Sequence, residues 1–126
     1  MTGGRCALCV VDDDADIREA LGDVLTLEGY EVVMAGDGQS ALDRLRTRKS
    51  GCCLILLDLM MPRMNGWEFR RNQLADPGLA DIPVVLLTGA GAAAKAIDEL
   101  HVEGIIEKPV DLDALLAKIA DYCDRA

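Results

Sequence analysis

Three aspartates stand in a row at 12–14 in the stretch CVVDDDADIREAL, directly after a short apolar run, and a fourth, Asp58, closes the run LILLD. A hydroxyl, Thr88, closes VVLLT, and Glu107 and Lys108 close GIIEK. A single acid at such a place would cap a helix. Three or more carboxylates gathered within a few ångströms would instead repel one another, raising at least one pKa unless a cation neutralises them. An oxygen donor set with no histidine or cysteine beside it suits a hard ion, Mg²⁺ or Mn²⁺. Adding a hydroxyl and an ammonium gives what a transferring phosphoryl group needs, positive charge on its oxygens and fixed geometry. Asp58 would then be central, since a carboxylate can act as nucleophile and form an acyl phosphate.

Such chemistry requires the acids, Thr88 and Lys108 to meet, and the order of elements supplies the means. Residues 6–11, 30–35, 53–58, 84–88 and 104–107 read as strands. Between them, Ile17, Ala20, Leu21, Val24 and Leu25 fall at helical spacing before Gly29. Ala41, Leu42 and Leu45 mark a second helix, and NGWEFRRNQLA a third. Residues 92–100 form an alanine-rich fourth, and Asp111 caps a last helix carrying Leu112, Leu115, Leu116, Ile119 and Cys123. Strands and helices alternating through short connections imply a doubly wound α/β fold, a five-stranded parallel sheet of flavodoxin-like (βα)5 type, with residues 1–126 as a single domain. Every polar residue singled out follows the carboxyl end of a strand, and in such sheets those ends share one edge, where ligands bind.

The segments VVDDD, LILLDLMMPRMNGWEF, IPVVLLTGAG and IIEKPV resemble, in order and spacing, the signature segments of the receiver domains of bacterial two-component response regulators. The resemblance covers nearly the whole chain. It implies a strand order of 2-1-3-4-5, Asp58 as the phosphoacceptor, and a metal held by Asp12, Asp13, Asp58 and the backbone carbonyl of Met60. It also implies that Thr88, with Gly89 after it, and Lys108 gather round the phosphate, and that Pro109 follows a cis peptide bond. Pro62 and Gly66 match the loop leading into the third helix. Ile105 departs from the family, which carries Tyr or Phe at this switch position. Met60 and Ala90 offer no side-chain hydrogen bond to an attacking water, so the acyl phosphate is not expected to be especially short-lived.

The function so implied is that of a cytoplasmic signalling phosphoprotein. It takes a phosphoryl group from a sensor histidine kinase or phosphotransfer protein and catalyses only its own phosphorylation and dephosphorylation. The switched surface is that of the fourth and fifth strands and helices, which addresses an unidentified output partner or domain and could also mediate a homodimer. A phosphorylation-independent interaction module is one alternative. Another is a small aspartyl-phosphate hydrolase, since Asp12 and Asp14 fit its Asp-x-Asp, although the acidic pair expected after the lysine is missing. A flavodoxin is disfavoured, because no phosphate-binding loop follows the first strand.

Composition narrows the field further. A net charge of −9 with no segregated basic patch argues against direct nucleic-acid binding. Arg44, Arg46, Arg48 and Lys49 read as a helix end whose dipole suits cations. No apolar run approaches the ~20 residues that span a bilayer. The five cysteines read as reduced, mostly buried thiols rather than a zinc site, because strand alternation sends Cys6 and Cys9 to opposite faces and the adjacent Cys52 and Cys53 chelate poorly. Asp14 or Asp16 is assigned to the first helix, Glu107 to the surface, and the single histidine, His101, to a structural role.

Overall fold

The computed structural model describes residues 7–47, 52–59, 61, 64–89, 100, 102–108 and 110–123. In chain order these form β1 (Ala7–Val11), α1 (Ala15–Leu27), β2 (Glu31–Ala35), α2 (Gly38–Thr47), β3 (Cys52–Asp58), α3 (Gly66–Leu74), β4 (Val84–Thr88), β5 (Gly104–Glu107) and α4 (Leu112–Cys123). All strand pairs are parallel, in the order β2-β1-β3-β4-β5. This is the doubly wound sheet that the alternation of elements requires. The helix expected over 92–100 lies outside the described residues except for Leu100.

Strands β1 and β4 are buried along their whole length and β3 over most of it, as expected of strands covered on both faces. Alternation then sorts their side chains into two layers. Leu8, Val10, Leu54, Leu56, Val85 and Leu87 pack under α1 and α4 with Leu21, Leu25, Leu115 and Ile119. Cys9, Val11, Ile55, Leu57, Val84 and Leu86 pack under α2 and α3 with Leu42, Leu45 and Phe69. A one-residue slip of any central strand would exchange these two sets.

Local chemistry sets the helix limits. Asp14 caps α1, its carboxylate accepting from the N–H groups of Asp16 and Ile17. At the other end Gly29 adopts φ 96°, with Gly29 N donating to Thr26 O and Tyr30 N to Leu25 O, the paired bonds of a Schellman motif. The inward face of α1 is rotated relative to the reading of the sequence. Leu21, Gly22 and Leu25 are buried, whereas Ala20 is exposed. Gly22 leaves room for β2's Met34, whose Sδ lies 2.7 Å from where a Cβ would stand. Asp111 caps α4 as expected, and Arg44 and Arg46 occupy the last turn of α2.

The cysteines correct one expectation. Cys9 and Cys52 are not in disulfides, but Cys53 is in a disulfide whose other sulfur lies outside the described side chains. Alternation along β3 is the physical reason that these neighbours differ, since Cys52 packs with the layer under α2 and α3 and Cys53 with the opposite layer. No described helix is long and apolar enough to cross a membrane.

Candidate functional site

The strand ends bring the acids together. Asp12 follows β1 and is held there by its N–H, which extends the β1–β2 ladder to Ala35 O at 3.2 Å. Asp58 is the last residue of β3, opposite Leu87 in the register with β4. One carboxylate oxygen each from Asp12, Asp13 and Asp58 lie within 4.8 Å of one another. Asp12 is fully buried, Asp58 nearly so, and Asp13 is exposed. At such separations two unit charges repel by about 3 kcal/mol at a dielectric typical of a protein surface.

Lys108 offsets part of that repulsion. The main chain places it, Lys108 N donating to Thr88 O at 2.8 Å just beyond β5. Its Nζ then reaches across to Asp12 Oδ2 at 3.1 Å and Asp58 Oδ1 at 3.6 Å. Burial works against the ammonium, but the hydrogen bond and attraction of Asp12, followed by those of Asp58, outweigh it and hold the Lys108 pKa above the usual lysine value. One cation against three acids leaves an excess of negative charge. An all-oxygen donor set with that excess fits a hard divalent cation, and among the described residues it is the one group of metal-ligating side chains of this kind.

The other sequence-derived residues divide. Thr88 sits at the end of β4, 1% exposed, with its hydroxyl donating to Gly89 O at 3.3 Å rather than to the carboxylates. Beside it, among the described residues, the space next to Gly89 is open, with none of their atoms outside its chain neighbours within 4 Å of where a side chain would begin. Ile105 is half-buried against the layer under α2 and α3. Asp14 belongs to the helix cap and Glu107 to the surface, as expected. Met60, Pro62, Ala90, His101 and Pro109 lie outside the described residues. An apolar cleft of about 300 Å³, lined by Ile17, Ala20, Leu21, Val110 and Leu112, shares Lys108 with the site.

Behind Asp58 the loop closes on Gly66, which opens α3 under a capping box made by Asn65 and Glu68. Gly66 N donates to Leu59 O at 2.8 Å, and a Cβ on Gly66 would stand 2.8 Å from Leu59 Cα and 3.3 Å from Asp58 O. Backbone cannot yield as a flexible side chain does. Gly66→Ala is therefore expected to lower stability by about 1–3 kcal/mol, read as a fall in the urea midpoint at unchanged slope. A midpoint equal to that of the parent would show that the loop relaxes freely.

Two polar side chains that the sequence did not flag are also buried. Arg70 Nε donates to Leu100 O at 3.0 Å and Nη1 to Gln73 Oε1 at 2.8 Å, while Gln73 Nε2 donates to both Leu79 O and Ile82 O at 2.9 Å. Burial lowers the pKa of Arg70 from its usual value, against the opposing pull of Glu103. The available signal is that 66, 69, 70 and 73 form one helical stripe, in which Arg70 and Gln73 hold positions that apolar residues would ordinarily fill.

Comparison with known proteins agrees with this geometry. Residues 8–120 match the family described as "Response regulator receiver domain". The chain is 36% identical over 114 residues to "Response regulator MprA" of Mycolicibacterium vanbaalenii, covering 89% of this chain and 48% of the relative. It is 35% identical over 125 residues to "Probable transcriptional regulator ycf27" of Pyropia yezoensis, covering 94% and 48%. It thus spans about half the length of these curated relatives. Among solved structures, a response regulator receiver protein from Pseudomonas putida superposes with a TM-score of 0.86 at 30% identity, over 95% of this chain and 99% of that one. The strand order, the acids gathered at one sheet edge and these matches together place the chain in the receiver domain family of two-component response regulators.

Proposed function

We propose that this domain accepts a phosphoryl group on Asp58 from a phosphohistidine of a sensor histidine kinase or phosphotransfer protein, and that residues 1–126 act as one receiver unit. The observation that carries this reading is the pair of contacts from Lys108 Nζ to Asp12 and Asp58 inside the acidic trio. A carboxylate oxygen of Asp58 attacks phosphorus, the phosphorus–nitrogen bond to the imidazole breaks, and the electron pair leaves with the imidazole. Mg²⁺ or Mn²⁺ held by Asp12, Asp13 and Asp58, with the Met60 carbonyl, would supply positive charge to the phosphoryl oxygens. Lys108 is already in place to exchange part of its contact with Asp12 for the new phosphoryl oxygens. Thr88 has a local bond to Gly89 O to give up.

The added charge, about −1.5 to −2, then shifts the equilibrium of the surface around β4, β5 and α4. That surface is the output, addressed to a partner or domain, and it is also where two copies would pair. Water later cleaves the acyl phosphate, so the turnover is of the domain itself. Similarity to the Pyropia relative, a probable transcriptional regulator, supports an output in transcription. With net charge −9, the receiver itself would influence DNA through another segment or protein rather than bind it.

Acetyl phosphate with Mg²⁺ is expected to add one phosphate per chain, seen by intact mass and mapped to Asp58 by peptide sequencing after reduction of the acyl phosphate. Chelation of the metal should prevent the addition. Stable incorporation at another residue, or none at all in folded protein, would refute the assignment.

A further inference from the structure

Arg18 stands where the rules of helix composition disfavour it. It is the fourth residue of α1, close to the positive end of the helix dipole, where an acid rather than a cation is stabilising. A residue set against its local preference at the rim of a site marks a constraint imposed from elsewhere. Here the constraint is visible as a hydrogen bond, since Arg18 Nη1 turns back from the helix and donates to the backbone carbonyl of Asp12 at 2.7 Å. The distance is at the short end of the range for charge-assisted bonds. The guanidinium lies against Gly36, where a Cβ would come within 3.1 Å of the same nitrogen, so the bare glycine leaves it a slot.

The bond matters because of what else holds Asp12. Its N–H is fixed by Ala35 O, Oδ1 accepts from Asp14 N at 2.9 Å, and Oδ2 accepts from Lys108. The carbonyl is the remaining polar atom, and the strand ladder ends there. With Arg18 on that carbonyl, the peptide planes on both sides of the Asp12 Cα are tied, and the direction of the carboxylate follows from them.

We infer that Arg18 is a positioning residue for the metal-binding carboxylate of Asp12, acting through the main chain rather than through its charge. This rests on the cation-binding half of the function proposed above. Positioning and plain electrostatics predict opposite signs. Removing a nearby cation should by itself tighten the hold on a divalent ion, whereas releasing the Asp12 peptide should loosen it. Supporting partners behind metal ligands typically change metal affinity by about tenfold or more when removed.

The test is a calorimetric titration with Mg²⁺ alone, on protein shown to be folded by its unfolding midpoint. Arg18→Met, which keeps the length of the side chain but loses donor and charge, is expected to bind Mg²⁺ about tenfold more weakly. Arg18→Lys, which keeps a donor able to approach the carbonyl, should recover most of the loss. Equal or tighter binding by Arg18→Met, or a Lys variant as weak as the Met variant, would overturn the inference while leaving the metal site intact. A parent protein that does not bind Mg²⁺ at all would overturn both the inference and the reading on which it rests.

Discussion

Asp58→Asn is expected to abolish phosphoryl incorporation from acetyl phosphate and from any cognate kinase, while leaving a folded protein. The amide is close to isosteric with the carboxylate, so the nearly buried position at the end of β3 keeps its packing. What disappears is the nucleophile, since an uncharged amide oxygen does not form a stable acyl phosphate. The variant also removes one of three crowded charges, and Lys108 keeps its closer contact to Asp12. Its Mg²⁺ affinity should fall because the site loses a charged ligand. Intact-mass spectra of parent and variant after the same incubation decide the matter. Undiminished labelling of the Asn variant would move the acceptor elsewhere, with Asp13, the exposed member of the trio, the first to inspect.

The second large effect concerns stability rather than chemistry. Gln73→Leu should destabilise the fold by about 2–4 kcal/mol, because it takes one acceptor from the buried Arg70 and the amide donor from Ile82 O and Leu79 O at once. Gln73 uses its amide oxygen on Arg70 and both amide hydrogens on Leu79 O and Ile82 O, so no part of the side chain is redundant. Those carbonyls lie in the connection between α3 and β4, and Arg70 extends the network to Leu100. Replacing both residues, Arg70→Met with Gln73→Leu, should recover part of the loss, since an apolar pair no longer leaves a charge without its amide. Urea unfolding of the four proteins in that cycle gives the coupling energy directly. A Gln73→Leu midpoint close to the parent's would mean that water replaces the amide.

Much of this architecture was legible in the sequence because burial and periodicity are written in residue types. Strands such as CLILLD could be read as two-sided and central without any structure. The site was legible for a different reason, that its polar members follow the ends of those strands, and parallel topology turns a shared position in sequence into a shared edge in space. Asp14 could be separated from Asp12 and Asp13 only in outline, since cap and ligand differ by a turn of backbone that residue type does not encode. Alternation predicts opposed faces for Cys52 and Cys53, yet it says nothing about which sulfur finds a partner. In α3 the apolar residues mark only part of the inward face. Phe69 is fully buried and Trp67 packs against the core, but Leu74 is 46% exposed, while Arg70 and Gln73 turn inward. A helix can bury a polar pair only where carbonyls from distant segments await it, and nothing in a local window announces them. Arg18 is hidden in the same way, because its partner is a main-chain atom.

The contact between Lys108 and Asp12 joins residues 96 positions apart. Lys108 follows a four-residue strand at one edge of the sheet, and its N–H is tied to Thr88 O. The charge balance of the acidic trio therefore depends on β5 staying paired to β4, and fraying of that edge would withdraw the ammonium while leaving the strands before the acids in place.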